Sequence, residues 1–121
     1  MNNFKDLNVW KKSMDFVTEI YQQVSLFPED EKFGLVSQMK RAAISIPSNI
    51  AEGSGRNSKK EFIHFLSIAK GSSYELQTQI LLSSRLGLLN EVKTEKLNDS
   101  ICEIQKMIFG LQKHLKSKID N

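Results

Sequence analysis

A single cysteine, Cys102, rules out an intrachain disulfide and leaves any thiolate metal site without partners. On a helix beside Ile101 and Ile104 it reads as a reduced, partly buried small hydrophobe. Only two prolines and six glycines punctuate 121 residues, so long regular elements are permitted. Clusters of β-branched residues with period-two alternation are largely missing, which removes the signal for half-buried strands. No stretch approaches the roughly 18 to 20 apolar residues of a membrane span. Residues 1–10 lack the apolar run of a secretory signal, and Asp6 argues against a transit peptide. A cytoplasmic protein with no membrane partner is expected.

What is present favours helix. With 40% hydrophobic and 26% charged residues the chain has ordinary globular composition, and its length suits one domain, residues 1–121, around one core. In a first segment, about 7–26, Val9, Trp10, Val17, Ile20, Tyr21 and Val24 recur at helical steps, and Asp6 or Asn8 is the expected cap. Phe27-Pro28 ends it, and the acids that follow suit the start of the next helix. A second segment, about 29–52, carries Leu35, Met39, Ala42, Ile46 and Ile50 on one face. Pro47 lies inside this pattern and predicts a kink there, or two shorter helices meeting at it.

The third segment, about 58–86, opens with Ser58-Lys59-Lys60-Glu61, the pattern of a capping box, and Gly87 is placed to end it. Gly71, Ser72 and Ser73 are costly inside a helix, so this patch predicts a tight crossing with another helix. The fourth, about 90–116, has the cleanest stripe: Leu97, Ile101, Ile104, Ile108, Leu111 and Leu115. Short connections between long helices force antiparallel neighbours. The fold class is all-α, an antiparallel up-down-up-down four-helix bundle.

A second stripe runs along the second segment. Gln38, Arg41, Ser45, Asn49 and Glu52 step by three, four, four and three, and share a face roughly 80° wide. None is lysine, whereas solvated faces tend towards Lys and Glu. Two readings stand side by side. In one, the row packs against the third helix or a neighbouring subunit, with Arg41 paired to Glu52 or Glu75 and the network fixing register. In the other, it lines a recognition groove that offers Arg41 and Arg56 to a phosphate or carboxylate.

The run from Gln38 to Gly53, Gln-Met-Lys-Arg-Ala-Ala-Ile-Ser-Ile-Pro-Ser-Asn-Ile-Ala-Glu-Gly, resembles the signature of the four-helix bundle family once called S23 ribosomal proteins. That family includes proteins encoded in intervening sequences of bacterial 23S rRNA genes. Further matches are Phe4 to Trp10, Tyr21, Phe27-Pro28, Glu31, Arg56 with Ser58, and Phe62 to Glu75. They cover nearly the whole chain up to Gly87, with a weaker match in the fourth helix. The resemblance implies a bundle that assembles as a homopentameric ring; Phe4, Trp10 and the patch at Gly71 are the candidates for packing between its subunits. It also implies kinship with the accessory variability proteins of diversity-generating retroelements, basic pentamers that bind nucleic acid and a reverse transcriptase. The partners implied are further copies of the chain, RNA or DNA, and a protein.

The net charge is +3, and a ring of five would carry about +15, enough to draw a polyanion through counterion release. Lys40, Arg41, Arg56, Lys59, Lys60 and Lys70 gather around the turn between the second and third helices and are the candidate nucleic-acid contacts. Lys106, Lys113, Lys116 and Lys118 line the end of the fourth helix. The sequence leaves open whether the two groups form one surface. No zinc-finger or aromatic-basic pattern accompanies them, so binding would be led by the phosphate backbone.

Candidates for catalysis fall away. His64 and His114 are remote from each other and lack the Glu-x-x-His spacing of a di-metal bundle. Arg56 and His64 stand further apart than the Arg-to-His motif of helical HEPN ribonucleases, and His64 is on the wrong helix for it. Gly53-Ser54-Gly55 lacks the Gly-Lys-Ser ending of a phosphate loop. The sequence points to a non-enzymatic homo-oligomeric scaffold or adaptor with no cofactor, metal or small-molecule substrate. Its alternative is a purely structural assembly, or a protein-partner adaptor with no nucleic-acid role.

Overall fold

Three of the four apolar stripes fold into the helices they encode, and the second does so in part. The computed structural model describes residues 3–119; residues 1, 2, 120 and 121 of the expected domain lie outside the described residues. Helix α1, Asn8–Val24, buries Val9, Ser13, Phe16, Ile20 and Val24, which step by three and four and so share one face. Neither Asp6 nor Asn8 caps it. Asp6 belongs to a preceding 3-10 turn, Phe4–Asp6, and Leu7 holds the cap position without a side-chain hydrogen bond.

The second segment departs from the expected single helix over 29–52. A 3-10 turn, Glu29–Glu31, and a π-helical turn, Lys32–Val36, come first, and regular geometry starts only with α2, Ser37–Ser54. The break falls at Gly34, whose backbone is non-helical (φ −107°, ψ −106°). Pro47 lies inside α2 and is buried, so the alternative of two shorter helices meeting there does not form.

Helix α3, Lys59–Arg85, starts at Ser58, whose Oγ accepts the Glu61 N–H at 3.0 Å. The return arm of the capping box differs from expectation. The Glu61 carboxylate meets the Ser58 hydroxyl at 3.4 Å instead of the Ser58 amide. Gly87, at φ +78°, ends the segment: the Leu88 N–H donates to the Ser83 carbonyl at 2.8 Å and the Gly87 N–H to Ser84 at 3.0 Å. This is the Schellman arrangement, which requires the left-handed residue glycine supplies. Helix α4, Glu91–Ile119, opens with the Asn90 side chain accepting the Lys93 N–H at 2.8 Å.

Helix α2 packs chiefly on α3, α3 on α4, and α1 on both α2 and α4, which closes an up-down-up-down four-helix bundle. Ile20, Met39, Ile46, Ile50, Leu66, Leu76, Ile80, Leu97, Ile101, Ile104 and Ile108 are fully buried in its core. Each such side chain contributes about 1.5–3 kcal/mol by leaving water. No described helix is long and apolar enough to cross a membrane.

The patch at Gly71-Ser72-Ser73 meets α2 through Ser72 and not through its glycine, and a second close approach lies at Gly53. A Cβ added at Gly71 would meet nothing within 4 Å, because Ser73 takes the inward position and Ser72 faces α2. At Gly53 the same atom would lie 2.7 Å from Phe65 Cβ and 2.9 Å from Phe62 Cδ1. The end of α2 therefore touches the start of α3 through a glycine that no larger residue can replace without movement. Across the other flank of α3, amides set the register with α4. Gln77 donates to Asn98 at 2.8 Å and accepts from Gln105 at 2.9 Å, and Gln112 donates to Ser67 at 2.9 Å. In that antiparallel register Lys59 and Lys60 come level with the last residues of α4.

Candidate functional site

The polar stripe of α2 divides along its width. Ser45 turns towards α3, where its hydroxyl lies 2.8 Å from that of Ser72, and Asn49 Nδ2 donates back along α2 to both the Ser45 carbonyl and Oγ. Gln38, Arg41 and Glu52 are exposed, as is Glu75 on α3. Among the described residues Arg41 pairs with neither Glu52 nor Glu75. Eleven residues separate Arg41 from Glu52, about 16 Å along a helix axis, which no side chain spans. Glu52 instead receives the Arg56 guanidinium at 2.8 Å, one turn further on. One residue of the row, Ser45, thus bridges α2 and α3, with Asn49 bracing it, and Gln38, Arg41 and Glu52 form an exposed outer edge.

The six cations grouped around the second turn also separate. Lys40 lies over the Tyr21 ring on the α1 side of α2, 4.8 Å from its centroid, and Lys70 over Phe109 on the α4 side of α3 at 4.9 Å. Both are several turns from Gly55, on opposite flanks of the bundle. Arg56, Lys59 and Lys60 stay together at the turn. Arg56 is fixed twice, by Glu52 and by the Phe65 ring 4.7 Å away. Among the described residues Lys59 and Lys60 make no ion pair or hydrogen bond through their side chains.

What the turn lost in Lys40 and Lys70 it gains from the end of α4. A hollow of about 300 Å³ sits at this end of the bundle, lined by residues from the chain's start, the α2–α3 turn and the last turns of α4. Leu7, Phe62, Leu111 and Leu115 form its apolar part; Arg56, Asn57, Lys59 and His114 form its polar part. Lys113, Lys116 and Lys118 belong to the same end of α4 and are exposed. Arg56, Lys59 and Lys60 thus share one pole with Lys113, Lys116 and Lys118, while Lys106, more than three turns before the end of α4, stays out of it. The opposite pole carries the acidic turn Glu29–Glu31 with Leu26 and Phe33, 80% and 90% exposed.

Among the described residues neither histidine side chain makes a hydrogen bond or ion pair. His64 is exposed and packs edge-on against Phe65, and His114 is an exposed wall of the hollow. Cys102 is free and half-buried, 3.5 Å from Gln77 Nε2. No group of three or more His, Cys, Asp or Glu among the described residues is placed to hold a metal ion.

The family model of the 23S rRNA-intervening sequence protein matches residues 5–110, most of the chain. The chain belongs to this family. A solved structure from the S23 ribosomal protein family of Bacteroides thetaiotaomicron, a protein of unknown function, superposes with a TM-score of 0.79 at 28% identity. The alignment covers 87% of this chain and 98% of that one. No curated protein matches the chain. The family match takes in α1 to α3 and most of α4, so it includes Arg56, Lys59, Lys60 and the apolar wall residues Leu7 and Phe62. It stops at residue 110, short of Leu111, Lys113, His114 and Leu115.

Proposed function

We propose that this member of the intervening-sequence family is a non-enzymatic scaffold that assembles as a homopentamer and holds nucleic acid by its phosphate backbone. The observation that carries the reading is the basic pole, where Arg56, Lys59 and Lys60 share one end of the bundle with Lys113, Lys116 and Lys118. Phosphate oxygens draw such a cluster whatever the base sequence, and the release of counterions from the polyanion drives the contact. Repetition of the pole in a ring multiplies it. A cytoplasmic setting suits this role.

Self-association is supported by the surface. The chain exposes 7438 Å², against about 6,600 Å² for a typical monomer of its mass. Between α1 and α2 an apolar groove is lined by Trp10, Met14, Val17, Ile44, Pro47 and Ala51, and the Phe4 ring packs edge-on against Trp10 at 5.2 Å. A protein-partner adaptor is a second reading, favoured by the exposed apolar residues Leu26, Phe33, Leu86 and Val92 at the acidic pole.

Light scattering at micromolar concentration, joined to titration with single-stranded RNA and duplex DNA across a salt series, tests the proposal. A mass of five times the 13.8 kDa chain is expected, with affinity for both nucleic acids that falls steeply between about 50 and 200 mM salt. A monomer removes the ring. Absence of binding at low salt leaves the structural and protein-adaptor readings.

A further inference from the structure

We infer that the hollow at the basic pole is a pocket for one nucleotide bearing a terminal phosphomonoester, either the phosphorylated end of an RNA strand or a free nucleoside monophosphate. This rests on the proposed nucleic-acid role and narrows it to an end-recognising site. At about 300 Å³ the hollow lies at the small end of the range of ligand pockets, room for a single nucleotide and not for a duplex.

Its two kinds of lining ask for a ligand of two parts. Leu7, Phe62, Leu111 and Leu115 offer apolar surface suited to the face of a base, and Arg56, Asn57, Lys59 and His114 offer polar groups. A bare phosphate would leave the apolar part unused; an apolar ligand would desolvate the cations without return. A terminal phosphate carries about −1.5 to −2 charge and three free oxygens, whereas a phosphate within a strand carries one negative charge and two. Clustered cations therefore favour the end over the interior of a strand.

The cations are prepared for this to different degrees. Arg56 is held in place by Glu52 at 2.8 Å and by the Phe65 ring, and its planar fork has five donors, of which the Glu52 contact takes one. Lys59 has no competing acid among the described residues and stands at the first position of α3, where the positive end of the helix dipole adds to its charge.

The test uses the full chain and one short RNA in three forms: 5′-phosphorylated, 3′-phosphorylated and with both ends hydroxyl, each followed by fluorescence anisotropy. At least one phosphorylated form is expected to bind about tenfold more tightly than the hydroxyl form. Asn57→Trp, an exposed substitution that blocks the hollow while keeping every cation, is expected to bring that ratio to within twofold. Lys113→Ala lies outside the hollow and is expected to weaken all three RNAs while preserving the ratio. Displacement of the phosphorylated RNA by AMP assigns the pocket to the nucleotide itself, and resistance to AMP assigns it to the strand end. Equal, salt-sensitive affinities for the three RNAs overturn the pocket and leave the scaffold reading intact, as does a preference that survives Asn57→Trp. Failure of every RNA to bind at low salt overturns both.

Discussion

Replacing Lys59, Lys60 and Lys113 together by alanine is expected to lower affinity for single-stranded RNA about 100-fold at 100 mM salt. The size follows from counterion release. Each phosphate contact contributes about 0.7 to the slope of log affinity against log salt for a single strand, so three lost contacts remove about 2 from that slope. Extrapolated towards 1 M salt, where the contribution vanishes, a slope change of about 2 becomes two decades at 0.1 M. The fold should not suffer, because all three side chains are exposed and none makes an ion pair or hydrogen bond among the described residues. Anisotropy titrations at several salt concentrations, with the circular dichroism of the variant as a control, read both quantities. A parallel Lys40→Ala, Lys70→Ala variant is expected to change affinity by less than about threefold, since those lysines lie over Tyr21 and Phe109 on the flanks, away from the pole.

The largest effect on stability is expected at Gly53. Gly53→Val should cost about 3 kcal/mol, the upper range for forcing extra atoms into a packed site. Even its Cβ would fall inside contact distance of Phe65 Cβ and Phe62 Cδ1, and the Phe62 carbonyl oxygen would be 3.3 Å away. The rings cannot both retreat without shifting the first turns of α3, and with them Ser58, Lys59 and Lys60. Gly71→Ala provides the contrast. Its Cβ enters open space on an exposed helix face, so the substitution should stabilise by about 0.5–1 kcal/mol through helix propensity alone. Chemical denaturation of the two variants beside the parent chain checks both signs.

These two glycines also show where a sequence reading stops. Helix type, number and order were legible because period-3.6 stripes such as Leu97-Ile101-Ile104-Ile108 leave no other way to bury their apolar face. Ser58 and Gly87 were legible as punctuation because their chemistry acts within a few residues of chain. Close approach between helices is different, since it depends on which azimuth a residue takes in the packed bundle. The Gly71-Ser72-Ser73 patch meets α2 through Ser72 but presents its glycine outwards, while Gly53, at the other end of α2, is the glycine that a close approach requires.

The candidate site was legible to a similar depth. The row from Gln38 to Glu52 was identified as one face, yet only Ser45 hydrogen-bonds across to Ser72, with Asn49 tied back to Ser45 on its own helix. Pairing Arg41 with Glu52 ignored the axial rise between them, and Arg56, one turn away, takes that acid. The sequence named both basic groups but could not join them. Their union follows from four helices running alternately up and down, which returns the end of α4 to the α2–α3 turn. His114 became part of the site only through that return.

The most direct test of the basic pole is a lysine footprint, with acetylation followed by mass spectrometry in the presence and absence of saturating RNA at low salt. Lys59, Lys60, Lys113 and Lys116 are expected to be protected several-fold, while Lys32 and Lys96, exposed at the other pole, react unchanged. Protection centred on Lys32 and Lys96, or spread evenly over all six, would contradict the assignment of the nucleic-acid surface to the end of the bundle where α2 turns into α3.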